Sequence, residues 1–197
     1  MNTTEDVEFD YETYTNEISL DSVKIYPGIE AREKRREITR RAVTYFNRGS
    51  AYSIADAYDC AIAEYSKAID LIPNYIAAYK SRAIAYVRKG AYDRAIEDFD
   101  KVISLRPDDA LTYLSRGMAY LNKDKIDRAI EDLSRAIELD PELAVVYFIR
   151  ANAYKKKGIY NRSIADYNRA IELNPDYADA YNNRSHVEAI GEHPDRR

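Results

Sequence analysis

Apolar and polar residues return along this chain in a frame of 34 residues. The frame reads YFNRGSAY from Tyr45, YKSRAIAY from Tyr79, YLSRGMAY from Tyr113 and YFIRANAY from Tyr147, with a degraded copy, YNNRSHVE, from Tyr181. A fixed period of this length is typical of a solenoid in which each repeat is one supersecondary unit. The chain lacks alternating strand-like runs, so the pattern predicts an all-α fold.

The period divides the chain into four units and a partial fifth unit that begins at Ala178. The four units are residues 42–75, 76–109, 110–143 and 144–177. Positions within a unit are called places here, and place one is residue 42, 76, 110 or 144. Each unit is predicted to hold two helices with a break between them, at Asp56, Gly90, Asp124 or Gly158. A proline, which cannot continue a helix, follows each second helix, at Pro73, Pro107, Pro141 or Pro175.

Small residues recur where two helices of a unit must approach closely. They occupy place eight, at Gly49, Ala83, Gly117 and Ala151, and the place opposite, at Ala61, Ala95, Ala129 and Ser163. With tyrosines at places four and eleven and the regular prolines, this pattern resembles the tetratricopeptide repeat over residues 42–191. The resemblance implies a right-handed α-solenoid of helix–turn–helix repeats. It also implies that the free side of the first helices lines a concave groove.

The two ends of the chain differ from the repeats. Residues 1–29 hold seven acidic residues and one lysine among several aromatic and apolar residues. This composition predicts a flexible segment, or alternatively one that docks in an apolar groove with a basic rim. Residues 30–41 are predicted to form a basic lead-in helix, residues 178–190 a polar capping helix, and residues 191–197 a flexible tail.

An arginine stands at place seven in the middle of each first helix, where the family usually has leucine. Places four, seven, eight and eleven fall on one helical face, so the side chain is expected to lie against tyrosine rings while its charge needs a partner. An acid follows each arginine after 16 residues, on the second helix. We expect four ion pairs within repeats: Arg48–Glu64, Arg82–Asp98, Arg116–Asp132 and Arg150–Asp166. The alternative is that the arginines line a site for phosphate or carboxylate ligands.

The opposite side of each first helix, at places two, five, nine and twelve, is expected to be free of helix packing and to form the groove. Its middle is strongly apolar, and such a patch favours a binding site for an amphipathic helix or an extended peptide. The predicted binding residues are Phe46, Lys80, Ile84, Val87, Leu111, Leu114, Met118, Leu121, Val145, Phe148 and Asn152. The alternative is a structural or assembly subunit whose groove is filled by its own N-terminal segment or by a neighbouring copy.

Composition narrows the function classes. The net charge is −4 with 32% charged residues, which does not favour a nucleic-acid or membrane binder. Basic residues 31–41 leave nucleic-acid binding as a weaker alternative. A single cysteine, Cys60, excludes an intrachain disulfide framework, and the acidic N-terminus does not resemble a signal peptide. A cytoplasmic protein with no membrane insertion is expected.

Residues for catalysis or metal binding are scarce in the sequence. The two histidines, His186 and His193, stand near the C-terminus, and Cys60 has no histidine close to it in sequence. Glycine-rich phosphate loops and GxSxG turns do not occur. We therefore expect a protein that is not an enzyme, has no catalytic residues and binds neither a metal nor another cofactor.

One function of the tetratricopeptide repeat family can be compared place by place. Repeats that hold the C-terminal carboxylate of a chaperone carry lysine and asparagine at places five and nine of one unit, asparagine at place six of the next, and lysine and arginine at places two and six of the third. The matching residues here are Phe46, Ser50, Ser81, Leu111 and Ser115. The sequence therefore argues against a chaperone-tail adaptor of that type.

Overall fold

The computed structural model describes the backbone of residues 29–192 and the side chains of residues 32–190. Two of the predicted segments, 1–29 and 191–197, lie mostly outside this described range. Within these segments, only Ile29, Gly191 and Glu192 are described. The helices of residues 29–192 are α1 (Ile29–Ile54), α2 (Tyr58–Leu71), α3 (Ile76–Arg88), α4 (Tyr92–Leu105), α5 (Ala110–Asn122), α6 (Ile126–Leu139), α7 (Ala144–Lys156), α8 (Tyr160–Leu173) and α9 (Ala178–Glu192). Helix α1 continues unbroken from the basic lead-in residues into the first repeat.

Each first helix is closed by one residue in the left-handed conformation. The φ angles are 56° at Asp56, 58° at Asp124 and 73° at both Gly90 and Gly158. The amide of the following residue donates a 2.9 Å hydrogen bond to the carbonyl of the tyrosine at place eleven in all four repeats. This bond closes the helix end as a Schellman-type turn, which needs glycine or a residue that tolerates positive φ. The four predicted breaks lie at these turns.

Each second helix ends two residues before its proline. The intervening residue has φ between −131° and −143° and ψ between 85° and 94° at Ile72, Arg106, Asp140 and Asn174. The proline ring disfavours the helical conformation for the residue before it and pushes that residue toward extended geometry. The proline therefore fixes where each second helix ends.

The described residues form two compact units, residues 29–85 and 86–192, with the boundary inside α3. The core of the first unit gathers side chains of α1, α2 and α3 around the fully buried Ile72 and Tyr75. In the second unit, one core cluster contains Leu133, Ala136 and Val146, and another forms around Tyr167 between α7, α8 and α9.

The packing face of the first helices is wider than places four, seven, eight and eleven. Places three and ten are fully or almost fully buried at Ala78, Ala85, Thr112, Ala119, Val146 and Ala153. In α9 the equivalent residues, Ala180 and Val187, are also buried. These places face the second helix of the preceding repeat, for example where Ala78 packs with Ala68 and Ile69 of α2. A first helix is therefore covered on two sides.

Substitutions at place eight test how closely the two helices of a repeat pack against each other. A Cβ atom added at Gly49 would lie 2.7 Å from the Tyr65 ring, whereas one at Gly117 would lie 3.2 Å from Leu133 Cγ. We expect Gly49→Ala to lower the free energy of unfolding by about 1–3 kcal/mol, because the buried ring must shift. Gly117→Ala should stay within about 1 kcal/mol of wild type, because the gain in helix propensity offsets a milder contact. Urea denaturation followed by circular dichroism measures both, and equal losses would contradict this account.

Candidate functional site

Two of the place-seven arginines clamp an acid on the second helix of their own repeat with two hydrogen bonds. Arg116 donates from Nε to Asp132 Oδ2 at 2.8 Å and from Nη2 to Asp132 Oδ1 at 2.6 Å. Arg150 binds the two oxygens of Asp166 in the same way, at 2.8 Å each. Both aspartates are buried, and such bidentate contacts combine charge with fixed geometry.

In the first unit, Arg48 Nη2 forms an ion pair with Glu64 Oε2. Glu64 also accepts a 2.6 Å hydrogen bond from Lys67 Nζ. The remaining expected pair, Arg82–Asp98, joins residues of different units and stays a prediction.

The arginines also reach backward to the preceding repeat, a contact that the sequence reasoning missed. Arg116 Nη1 donates to Asp100 Oδ1 at 2.6 Å, and Arg150 Nη1 donates to Ser134 Oγ at 2.9 Å. Arg82 donates to Ser66 Oγ at 2.8 Å, and Arg184 donates to Asn168 Oδ1 at 2.9 Å. Each acceptor stands 16 residues before its arginine, at place 25 of the preceding unit. A search for polar residues at that fixed offset would have found them.

Tyrosine rings enclose the same guanidinium groups. Arg116 lies 5.6 Å from the ring centre of Tyr113 and 5.9 Å from that of Tyr120, and Arg150 is placed alike between Tyr147 and Tyr154. A second arginine, at place 19, lies over each place-eleven tyrosine of the second unit. These pairs are Arg94–Tyr86, Arg128–Tyr120 and Arg162–Tyr154, at 5.7–5.8 Å. In the first repeat, place 19 is Cys60.

Electrostatics keep these groups charged. Burial would lower the pKa of Arg116, but its hydrogen bonds to Asp132 and Asp100 outweigh burial and raise that pKa above its usual value. The pKa of Arg150 is raised in the same way, with burial opposing the contact to Asp166. Burial would raise the pKa of Glu64, but its contacts with Lys67 and Arg48 hold that pKa below its usual value. The oxygens around these guanidinium groups thus come from the protein itself, which favours the structural role over the ligand site.

The predicted groove residues are divided between the units. Phe46, Lys80 and Ile84 belong to the first unit, and Val87 and the remaining residues to the second. Within the second unit, α5 and α7 are in contact, and we call places two, five, nine and twelve of these two helices the first-helix face. Leu111, Met118 and Val145 on this face are exposed, by 52%, 44% and 38%.

Other groove residues take part in packing, which corrects the expectation that the core does not require them. Leu114 and Leu121 pack against the cluster of Leu133, Ala136 and Val146. Phe148 lies 6.0 Å from the Tyr167 ring and 4.8 Å from the Tyr177 ring. The reason is reach, since a long side chain at place five extends from the helix surface over the neighbouring helices. These side chains form the floor of the first-helix face and are half-buried.

Phe46 and Asn152 are likewise held by neighbours. Phe46 packs between the rings of Tyr65 and Tyr75, at 5.7 and 5.3 Å. Asn152 Oδ1 accepts hydrogen bonds from Tyr167 Oη at 2.6 Å and from Asn183 Nδ2 at 3.2 Å. The amide of Asn152 thus connects α7 to α8 and α9.

The described residues offer little for metal chemistry or membrane insertion. Among side chains 32–190, none of the His, Cys, Asp and Glu residues form a group of three that could hold a metal ion. Cys60 is an exposed free thiol. None of the helices within residues 29–192 combines the length and the apolar character needed to cross a membrane.

Comparisons with protein families agree with the repeat frame. Tetratricopeptide repeat models match residues 42–75 and 82–153, and a TPR repeat model matches residues 151–187. A comparison with curated protein sequences gave no match.

Solved structures with the same fold include three whose similarity is informative. The crystal structure of MamA protein is 26% identical, with 75% of this chain and 80% of that chain covered and a TM-score of 0.71. YrrB, a TPR protein with an unusual peptide-binding site, is 23% identical, with coverage of 83% and 84% and a TM-score of 0.69. The second TPR domain of human RPAP3, in complex with the HSP70 peptide SGPTIEEVD, is 29% identical, with coverage of 56% and 92% and a TM-score of 0.54. Together these findings confirm the predicted all-α solenoid class of helical repeats.

The two contacts of Arg116 should differ in strength. Asp132 is buried and held by two bonds, whereas the Asp100 side chain is exposed. In double-mutant cycles with alanine, we expect a coupling energy of about 1.5–3 kcal/mol for Arg116–Asp132 and below about 1 kcal/mol for Arg116–Asp100. Urea unfolding of the single and double variants measures both, and equal coupling energies would contradict the assignment.

The first repeat lacks an arginine at place 19, and a substitution can introduce one there. We expect Cys60→Arg to raise the free energy of unfolding by about 0.5–1 kcal/mol through a new contact with the Tyr52 ring. Cys60→Gln is the control, because glutamine has a similar helix propensity without the charge. The difference between the two should vanish when Tyr52 is replaced by Leu, and its persistence there would rule out the ring contact.

Proposed function

Because the chain belongs to the tetratricopeptide repeat family, we propose that it is a non-enzymatic scaffold that binds a peptide or a segment of a partner protein on the first-helix face. The observation that carries this proposal is the exposure of Leu111, Met118 and Val145 on that face. Exposed apolar side chains grouped on one surface are typical of interaction sites. The single exposed thiol of Cys60 supports a reducing, cytoplasmic location.

The composition of the first-helix face favours an apolar ligand. Leu114, Leu121 and Phe148 are fixed in the floor by their core contacts. Leu111 and Met118 are exposed on α5, and Val145 is exposed on α7, a helix in contact with α5. A rigid floor under adaptable side chains suits the apolar face of an amphipathic helix or alternate side chains of an extended peptide.

A ligand of this kind differs from a chaperone tail. The RPAP3 domain similar to this chain binds an HSP70 peptide that ends in EEVD. In this chain, Leu111 and Ser115 occupy two of the places where chaperone-tail repeats carry cations. We therefore propose recognition through apolar side chains instead of a terminal carboxylate.

Selection from a displayed library of random peptides on the full-length protein tests this proposal. Peptides that bind should lose at least about tenfold in affinity with Met118→Asp or Leu111→Asp, because a carboxylate on the apolar surface must be desolvated. Fluorescence anisotropy measures the affinities, and circular dichroism confirms that the variants are folded. Ile54→Asp is the matched control, since Ile54 is an exposed apolar residue of the other unit.

The outcomes separate the two functional readings. Equal affinities of wild type and both variants would exclude the first-helix face as the peptide site. Light scattering on the same proteins tests the assembly alternative. A wild-type oligomer that becomes monomeric with Met118→Asp would show that a second copy of the chain covers this face.

A further inference from the structure

The first repeat breaks the rule that the other arginines follow. Arg82, Arg116, Arg150 and Arg184 each bind an oxygen acceptor 16 residues earlier, on the preceding second helix. The residue 16 places before Arg48 is Arg32, which lies on the same helix, α1. A rise of 1.5 Å per residue puts Arg32 about 24 Å away along the axis, and it is itself a cation. The described residues thus offer Arg48 no backward acceptor of this kind.

The surroundings of Arg48 reflect this difference. Its side chain is 53% exposed, whereas those of Arg116 and Arg150 are 18% exposed. Thr44 and Ala51, at places three and ten of the first repeat, are exposed as well, while their counterparts in later repeats are buried. Arg41, Thr44, Arg48 and Ala51 lie on one side of α1, which we call the end face.

A cavity opens beside the end face. Its volume is about 370 Å³, and it is lined by Arg40, Arg41, Thr44, Tyr45 and Arg48. Arg40 pairs with Glu37, and Arg48 pairs with Glu64. Three arginines line this one cavity, which favours a carboxylate, because arginine binds that group through planar paired hydrogen bonds.

We propose that residues 1–28 pack on the end face of α1 and place an acidic side chain in this cavity. The segment would take the position that a preceding second helix holds in later repeats. It carries seven acidic residues and one lysine, so its charge is complementary to the arginines. Its aromatic and apolar residues supply material to cover the exposed side of α1.

The length of the segment fits this position. Arg41 and Arg48 lie 12 and 19 residues after Ile29 on α1, which corresponds to about 18–28 Å along the helix axis. Glu17 precedes Ile29 by 12 residues, and these residues span about 18 Å as a helix or about 40 Å when extended. Allowing for a turn before α1, folding back along α1 brings an acidic residue between Glu5 and Glu17 alongside the cavity, nearer Glu5 if the segment is helical and nearer Glu17 if it is extended.

Hydrogen–deuterium exchange of the full-length protein, measured by mass spectrometry, tests the proposal. Peptides within residues 1–28 should exchange at least about tenfold more slowly than the same sequence as a free peptide. Arg40→Glu/Arg41→Glu should abolish this protection. Lys125→Glu/Arg135→Glu, which changes two exposed cations of the other unit, should leave the protection intact. Combining Arg40→Glu/Arg41→Glu with Glu12→Lys/Glu17→Lys should restore it.

Each contrary outcome overturns the proposal. Exchange of residues 1–28 at the free-peptide rate in the wild type would show that the segment does not dock. Protection that survives Arg40→Glu/Arg41→Glu, or that the charge swap does not restore, would exclude the arginine-lined cavity. Protection that appears only at concentrations where light scattering detects a dimer would assign the end face to a second copy of the chain. None of these results depends on whether the first-helix face binds a peptide.

Discussion

A half-buried guanidinium group between packed helices needs oxygen acceptors in place of water, and in the second unit the neighbouring helices supply them. The acid at place 23 and the polar residue at place 25 approach Arg116 from two different second helices. The rings of the tyrosines at places four and eleven lie within 6 Å of the same group. One side chain therefore fixes the distance and register of three helices, and the small residue at place eight lets the helices come close enough for the bonds to form.

On the first helices of the second unit, the structural contacts of the arginines lie apart from the proposed peptide site. The residues repeated at places 7, 23 and 25 bind one another through ion pairs and hydrogen bonds. The residues of the first-helix face differ from one repeat to the next. Place nine is Met118 in one repeat and Asn152 in the next, and Asn152 is bound within the protein. Place five is Leu114 and then Phe148, both anchored in the core. Few residues remain exposed for the proposed partner, and side chains that pack in the core lie beneath them.

The repeat length, the turn positions and the arginine–acid offset could be predicted from the sequence. Each of them depends on a spacing that every unit shares. Asp56 and Asp124 could be placed at turns since glycine fills the same place in the other units. The backward acceptors Ser66, Asp100, Ser134 and Asn168 were missed because they share only polarity. Leu114 and Phe148 were assigned to the surface because a helical wheel gives the direction of a Cα–Cβ bond and not the reach of the side chain. The sequence therefore counts side chains that pack in the core among the free groove residues.

The place-seven arginine also limits how the length of this chain can change. Its two links reach 16 residues forward and 16 residues back, and both offsets are set by the 34-residue frame. An insertion of one whole unit leaves every offset intact and adds another complete set of contacts. An insertion of a single residue inside a helix, between the contacts that hold it and the acceptor, turns the acceptor by about 100° around the helix and leaves a half-buried charge without its oxygen. Insertions and deletions of whole 34-residue repeats are therefore the length changes that keep these contacts.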